Sequence, residues 1–267
     1  MNLNCIISEM KENYNRIYKE KCYNNEKQEE KDLKKLTIII SVMAMMCAVM
    51  AALIFSIWLA VYGDSNYRFY KKEYQRYEVT EDLDMSIDHV MYVTEHMMNY
   101  LIGKEEELSV VTTVEGREQD FFNERDRLHM RDVRNLFLGG MKVGVICLAV
   151  AAVILAVLRK REEDWKRLYF RTYSIALSAW LVIGVLLGIA FRVDFTTCFT
   201  IFHKLFFTNN LWVFDPETDY MIRMLPEGFF SDMVIRISEV FGGVLLLIWI
   251  VLFFGKNNCK KEEKKVD

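Results

Sequence analysis

Four long apolar runs constrain this chain more than any other feature. They occupy residues 36–63, 136–158, 174–191 and 233–255, and the charged residues gather between them. A bilayer hydrocarbon core about 30 Å thick needs roughly 20 apolar residues as helix, and the four runs meet that requirement. The sequence therefore predicts an all-α membrane protein, a four-transmembrane-helix bundle. Averaged over the chain, 52% hydrophobic residues and a net charge of −3 conceal this segregation. The first run is too long for a signal-peptide core, and no small-x-small cleavage site follows it, so it reads as a retained span.

Basic residues near the span ends set the orientation. Lys31, Lys34 and Lys35 precede the first span, "RKREEDWKRLYFR" joins the second to the third, and "GKNNCKKEEKK" follows the fourth. The expected topology places both termini inside, with a cytoplasmic tail at 1–35, a cytoplasmic loop at 159–173 and a second tail at 256–267. The outer segments are then a cap at 64–135 and a re-entrant or interfacial loop at 192–232. The 1–35 tail is rich in Lys, Glu and Asn and reads as solvated, with a loose amphipathic helix on anionic lipid as the alternative. Of the six cysteines, Cys5, Cys22 and Cys259 fall inside, Cys47 and Cys147 fall in the membrane, and Cys198 stands alone outside. No CxxC is present, so neither a disulfide framework nor a zinc–thiolate site is expected.

Within the cap, tyrosines at 67, 70, 74 and 77 form one helical stripe, placed at the headgroup level by their closeness to a span. Ser86 is positioned to cap a helix carrying Ile87, Val90, Met91, Thr94, Met97 and Leu101 on one face, stopped near Gly103. The β-branched "LSVVTTVEG" reads as a short strand pairing with "RYEVT", and "REQDFFNERDRLHMRDVRNLF" as helix leading into span two. The cap is thus expected to be mainly helical with a possible short β hairpin. In the second outer loop, Asp194 caps a helix with Phe195, Phe199, Phe202 and Phe206 as an apolar stripe. "DPETD" then offers Asp215 as N-cap with Pro216 at the first helical position, and "LPEGFF" repeats the device. Gly184 and Gly188 in span three make a small-xxx-small pair for close helix approach. Arg236 and Glu239 lie one turn apart near the outer end of span four, as a functional intramembrane pair or as mutual neutralisation near the interface.

The four histidines, His89, His96, His129 and His203, all fall in outer segments. His129 precedes Asp132 by one helical turn, where a carboxylate can orient an imidazole. His203 lies among phenylalanines, and burial there would keep it neutral and able to accept a proton. His89 and His96 read as ordinary structural residues. No G-x-S-x-G or serine–histidine arrangement is present. Metal binding through His129, His203, Asp132, Asp215 and Asp219 lacks the usual ligand spacing, so no metal and no cofactor are expected. Phosphate-binding glycine loops and nucleic-acid surfaces are absent from the sequence.

"LHMRDVRNLF" and "FHKLFFTNNLWVFDPETDYMIRMLPEGFFSD" resemble the signature of the lipoprotein intramolecular transacylase (Lit) family, four-span bacterial membrane proteins. The resemblance covers about residues 37–254, and "HMMNYLIGKEEEL" is similar in a looser way. It implies an enzyme of the cell membrane with its active site at the outer leaflet. Such an enzyme moves the sn-2 acyl chain of a lipoprotein's diacylglyceryl-cysteine onto the cysteine α-amine, giving a lyso-form lipoprotein. The matching catalytic pair is His129 and His203. The chemistry is compatible with the residues: a neutral histidine can deprotonate an α-ammonium, and an acceptor and donor on one molecule need no protein nucleophile. Either histidine can be the base. The tetrahedral oxyanion needs a donor, with the second histidine, Asn99, Tyr100 and Trp212 as candidates. The expected partners are the diacylglyceryl lipoprotein and membrane lipids. The alternative from another class is a non-catalytic membrane sensor or partner subunit with an outer domain.

Overall fold

The computed structural model describes the backbone of residues 3–263 and the side chains of residues 16–257. Cys5 and Cys259 therefore lie outside the described side chains. The first helix, α1 (Leu3–Tyr62), is 60 residues long. At 1.5 Å per residue it extends about 90 Å, far more than a membrane needs. From residue 3 onward the segment read as a solvated tail is helix continuous with the span, and its described side chains, 16–35, are exposed. Neither glycine nor proline occurs before Gly63. The exposed turns carry Lys34–Glu30 at 2.5 Å and Lys35–Asp32 at 3.2 Å. Such pairs contribute little singly, but here they accompany residues of good helix propensity.

The cap follows as α2 (Arg68–Arg76), α3 (Val79–Asp82), α4 (Ile87–Leu101), β1 (Val111–Val114) and β2 (Arg117–Asp120). Helix α4 starts as its cap residue dictates, with the Ser86 hydroxyl accepting from the His89 N–H. It ends at Leu101, just before Gly103 at φ 82°. The strand at 111–114 forms, but its partner is Arg117–Asp120, not "RYEVT". Val114 faces Arg117 across a two-residue turn in which Glu115 and Gly116 both have positive φ, the form that closes a twisted hairpin. Asp120 then fastens the hairpin base, accepting from the Val110 and Phe122 N–H groups and from Arg127 Nη2 at 2.6 Å. The helix expected from residue 117 consequently begins only at Glu124.

Among the described residues four helices are long and apolar enough to cross a membrane: α1, α5 (Glu124–Arg161), α6 (Trp165–Val193) and α9 (Glu227–Glu263). Between α6 and α9 lie α7 (Phe195–Phe206) and the short α8 (Tyr220–Met224). Helix α1 packs against α5, α6 and α9. It comes close to α5 at Gly144, where a Cβ would stand 3.0 Å from Ile54 Cγ2. Gly184 and Gly188 have nothing within 4 Å of a built Cβ, so the small pair of span three makes no helix contact among the described residues. Toward the 159–173 loop, Ser41 bonds Thr172 at 2.9 Å and Tyr173 donates to the Leu245 carbonyl at 2.8 Å. The C-terminal half of α6 exposes Leu181, Val182, Val185, Leu186 and Ile189, an apolar surface suited to hydrocarbon.

The main core lies in the cap and extends onto the ends of α5 and α9, joining Tyr74, Leu83, Val90, Val93, Phe121 and Phe122 to Met130 and Phe229. The tyrosine stripe belongs to this core. Tyr70 and Tyr74 are buried against Phe229, and the Tyr74 hydroxyl bonds Thr94 at 2.8 Å. They are therefore not headgroup anchors. Helix α2 is latched to α9, with Asp232 accepting from Tyr77 at 2.7 Å and pairing with Arg76 at 2.5 Å. The two elements come so close that a Cβ on Gly228 would stand 2.4 Å from the Tyr77 ring. Arg236 makes no ion pair with Glu239 among the described residues. Its Nε donates instead to the Ala60 carbonyl at 2.9 Å, and its guanidinium covers the Phe69 ring at 4.7 Å. One of the carbonyls left unpaired at the end of α1 is thereby satisfied.

Candidate active site

Helix α5 brings His129 into place. Asn123 and Asp126 form a reciprocal capping box at its start, which fixes the first turn before the apolar run begins. Helix α7 brings His203. Asp194 caps it through the Thr197 N–H at 2.9 Å, and Thr196 donates to both oxygens of Glu227, joining α7 to the start of α9. The phenylalanine stripe divides: Phe199 packs inward against Phe230, while Phe202 and Phe206, with Ile201 and Leu205, stay exposed.

The two histidines, 74 positions apart, meet with ring centroids 5.9 Å apart and planes 30° from parallel. Both are buried, at 5% and 7% exposure. Aromatic rings enclose them. Phe207 and Phe214 stand 5.2 and 5.3 Å from His129, and Phe199 and Trp212 stand 4.1 and 4.9 Å from His203. Burial pushes the His129 pKa down to about 4, aided by the neighbouring His203 and opposed by Asp132. Burial also lowers His203, opposed by its bond to Phe199. Both imidazoles are neutral at pH 7.

Their nitrogens differ. His203 Nδ1 lies 2.7 Å from the Phe199 carbonyl oxygen. A carbonyl can only accept, so Nδ1 carries the proton and Nε2 keeps a lone pair. His129 Nδ1 is buried without a hydrogen-bond partner among the described residues.

A family model for the lipoprotein intramolecular transacylase Lit matches residues 41–230. The chain belongs to the Lit family. Its likeness to the solved membrane integral Lit from Bacillus cereus has TM-score 0.68 at 20% identity, covering 85% of this chain and 99% of that one. Variants of the Bacillus cereus protein with one histidine replaced by arginine or alanine match with TM-scores of 0.68 and 0.67 at 19% and 20% identity. They cover 88% and 87% of this chain and 99% of theirs. No curated protein matches. Membership makes the chain a membrane-integral transacylase and replaces the alternative of a non-catalytic sensor.

Other residues anticipated from the sequence of this Lit-family member take different places. Asp132 does not bond an imidazole; its carboxylate accepts from Asn209 Nδ2 at 2.8 Å. Asn209 in turn accepts from the Trp212 indole N–H at 2.9 Å through its carbonyl, so Trp212 walls the site with its donor occupied. Tyr100 is buried under the Arg134 guanidinium at 4.7 Å, and Asn99 receives the Lys104 N–H at the end of α4. Neither contacts a histidine ring among the described residues.

Asp215 opens a turn and not a helix. Its carbonyl accepts from Thr218 and Asp219, and α8 starts only at Tyr220. Asp219 is buried and closes that turn, accepting from the Asp215 N–H at 2.7 Å and from Asn123 Nδ2 at 2.5 Å. This ties the aromatic loop to the start of α5. Asn123, Asp126, Phe207, Asn209 and Phe214 are the surroundings that the sequence reading missed. Among the described residues no group of three or more His, Cys, Asp or Glu is arranged to hold a metal ion.

Proposed function

We propose that this chain moves the sn-2 acyl chain of a lipoprotein's S-diacylglyceryl-cysteine to the α-amine of the same cysteine, at the outer leaflet. The observation that carries the reading is the enclosed pair of neutral histidines, one of which has its Nδ1 proton committed to a backbone carbonyl. The α-ammonium releases one proton to solvent, and the free amine attacks the ester carbonyl, forming the C–N bond while His203 Nε2, the base, takes a second proton from that nitrogen. His129, held neutral by burial, donates from Nε2–H to the developing oxyanion, as a neutral imidazole can. Collapse breaks the ester C–O bond, and the His203 imidazolium returns its proton to the departing sn-2 oxygen. The product is an N-acyl, S-monoacylglyceryl lipoprotein.

No protein nucleophile takes part, because donor ester and acceptor amine belong to one molecule and proximity supplies much of the acceleration. The aromatic walls exclude water, which would otherwise compete for the ester. The exposed apolar face of α7 offers contact with the leaflet that holds the acyl chains. The test is mass spectrometry of lipoproteins from a host that lacks this activity and expresses the chain. Lyso-form lipoprotein is expected. His129→Ala and His203→Ala should each lower its formation about 100-fold or more at equal expression. His89→Ala should change little, since that residue meets neither histidine ring among the described residues. Near-normal product from both variants would remove the paired-histidine assignment.

A further inference from the structure

Two buried polar atoms on successive turns of α5 have no hydrogen-bond partner among the described residues: Asp126 Oδ1 and His129 Nδ1. Asp126 is fully buried. Its other oxygen, Oδ2, accepts the Asn123 N–H at 3.1 Å as half of the capping box. Residues three apart on a helix have Cβ atoms about 5–6 Å from each other, so the two side chains are neighbours on one face of α5 and within reach of each other. Leaving each unpaired in a dry site is destabilising, and joining them satisfies both.

We propose that Asp126 is the positioning residue of His129, donating from a protonated carboxyl to the imidazole Nδ1 and so fixing the proton of the ring on Nε2. The inference rests on the role given above to His129, whose Nε2–H must face the oxyanion. His203 has its tautomer set by a backbone carbonyl, and Asp126 does the complementary task for its neighbour. One ring is thereby left with a lone pair on Nε2 and the other with a proton there. The charged and titratable groups around the pair are compatible with this. On α5, Arg127 attracts the carboxylate of Asp126 and Asp132 favours a charged His129; from α7, His203 opposes that charge. From the loop before α8, Asp219 faces Asp126 with a like charge. Burial first, and Asp219 second, push the Asp126 pKa up to about 7, against the Asn123 N–H and Arg127. The carboxyl is therefore a hydrogen-bond donor through the mildly acidic range, as a buried acid in an apolar site can be.

The test reads the tautomer of His129 from ring-nitrogen shifts of protein labelled with nitrogen-15 histidine, purified in detergent and free of substrate. At pH 6 the wild type should carry the His129 proton on Nε2. Asp126→Ala should lose that preference, whereas Asp126→Asn should keep it, because an amide N–H can donate as the acid does. Raising the pH to 9 should move the wild-type proton to Nδ1 as Asp126 ionises and becomes an acceptor, while Asp126→Asn should not switch. An Nε2–H tautomer unchanged in Asp126→Ala, or a switch that persists in Asp126→Asn, overturns the proposal; the second comparison decides if the alanine variant does not fold. In turnover, Asp126→Ala should lower kcat about tenfold or more with KM within about threefold, and Asp126→Asn should restore most of it. A tautomer that responds while kcat does not would leave Asp126 fixing the ring and would remove His129 from the reaction.

Discussion

At His203 a single backbone carbonyl decides which nitrogen is free, and burial decides that the ring is uncharged. That has a consequence for pH dependence. The folded-state pKa lies below the usual value of 6.5, so the neutral base is already the major form at pH 6.5 and above. The substrate α-ammonium titrates near 8. In Asp126→Asn, where the side chain beside His129 cannot ionise above neutrality, the acid limb of kcat/KM should therefore fall near pH 8 and should move down with a lipopeptide whose amine is made less basic. A limb near 6.5 that ignores the substrate amine would assign control to the enzyme histidine. At this scale the histidines were legible, because their residue type and phenylalanine-rich or acidic surroundings stand out in the sequence. Asp126 was not: within "NERDRLH" it looks like an ordinary acid in the first turn of a helix. Only the fold shows that its surroundings are dry and that Asp219 stands beside it.

At the scale of elements, periodicity identified faces correctly and could not tell what would cover them. The tyrosine stripe of α2 is a true stripe, yet Phe229 and the cap core cover it where headgroups were expected. The strand at 111–114 was legible from its β-branched run, but its partner "REQD" has little strand character of its own. Two consecutive residues at positive φ dictate that pairing. Glycine spacing misled in the same way: Gly184 and Gly188 suggested a contact, whereas a close approach of α1 to α5 is made at Gly144. Gly144→Leu should accordingly overpack against Ile54, at a cost of about 1–3 kcal/mol. Gly184→Leu should leave the thermal unfolding midpoint in detergent unchanged. Equal midpoints for the two variants would mean that α1 and α5 are not held as closely as the geometry requires.

For the whole molecule, the four apolar runs were enough to state the bundle, since their length admits no compact soluble alternative. What they could not state was how the cap, the aromatic loop and the ends of α5 and α9 close over one site, because those contacts join residues far apart in sequence. The orientation proposed from the basic loops places both termini inside. A membrane-impermeant thiol reagent applied from outside should label a cysteine introduced at residue 110 or 217 and should miss one at 165. Labelling at 165 would invert the layout. The central claim is that the acyl chain passes directly between two groups of one substrate. Cys198, a free thiol in the loop that carries His203, should be dispensable, with Cys198→Ala fully active. The most direct measurement mixes a lipoprotein carrying isotopically labelled sn-2 acyl chains with an unlabelled one of different peptide mass. Every labelled chain should be found on the amine of its original peptide; label on the second peptide, or trapped on the enzyme, would contradict the mechanism.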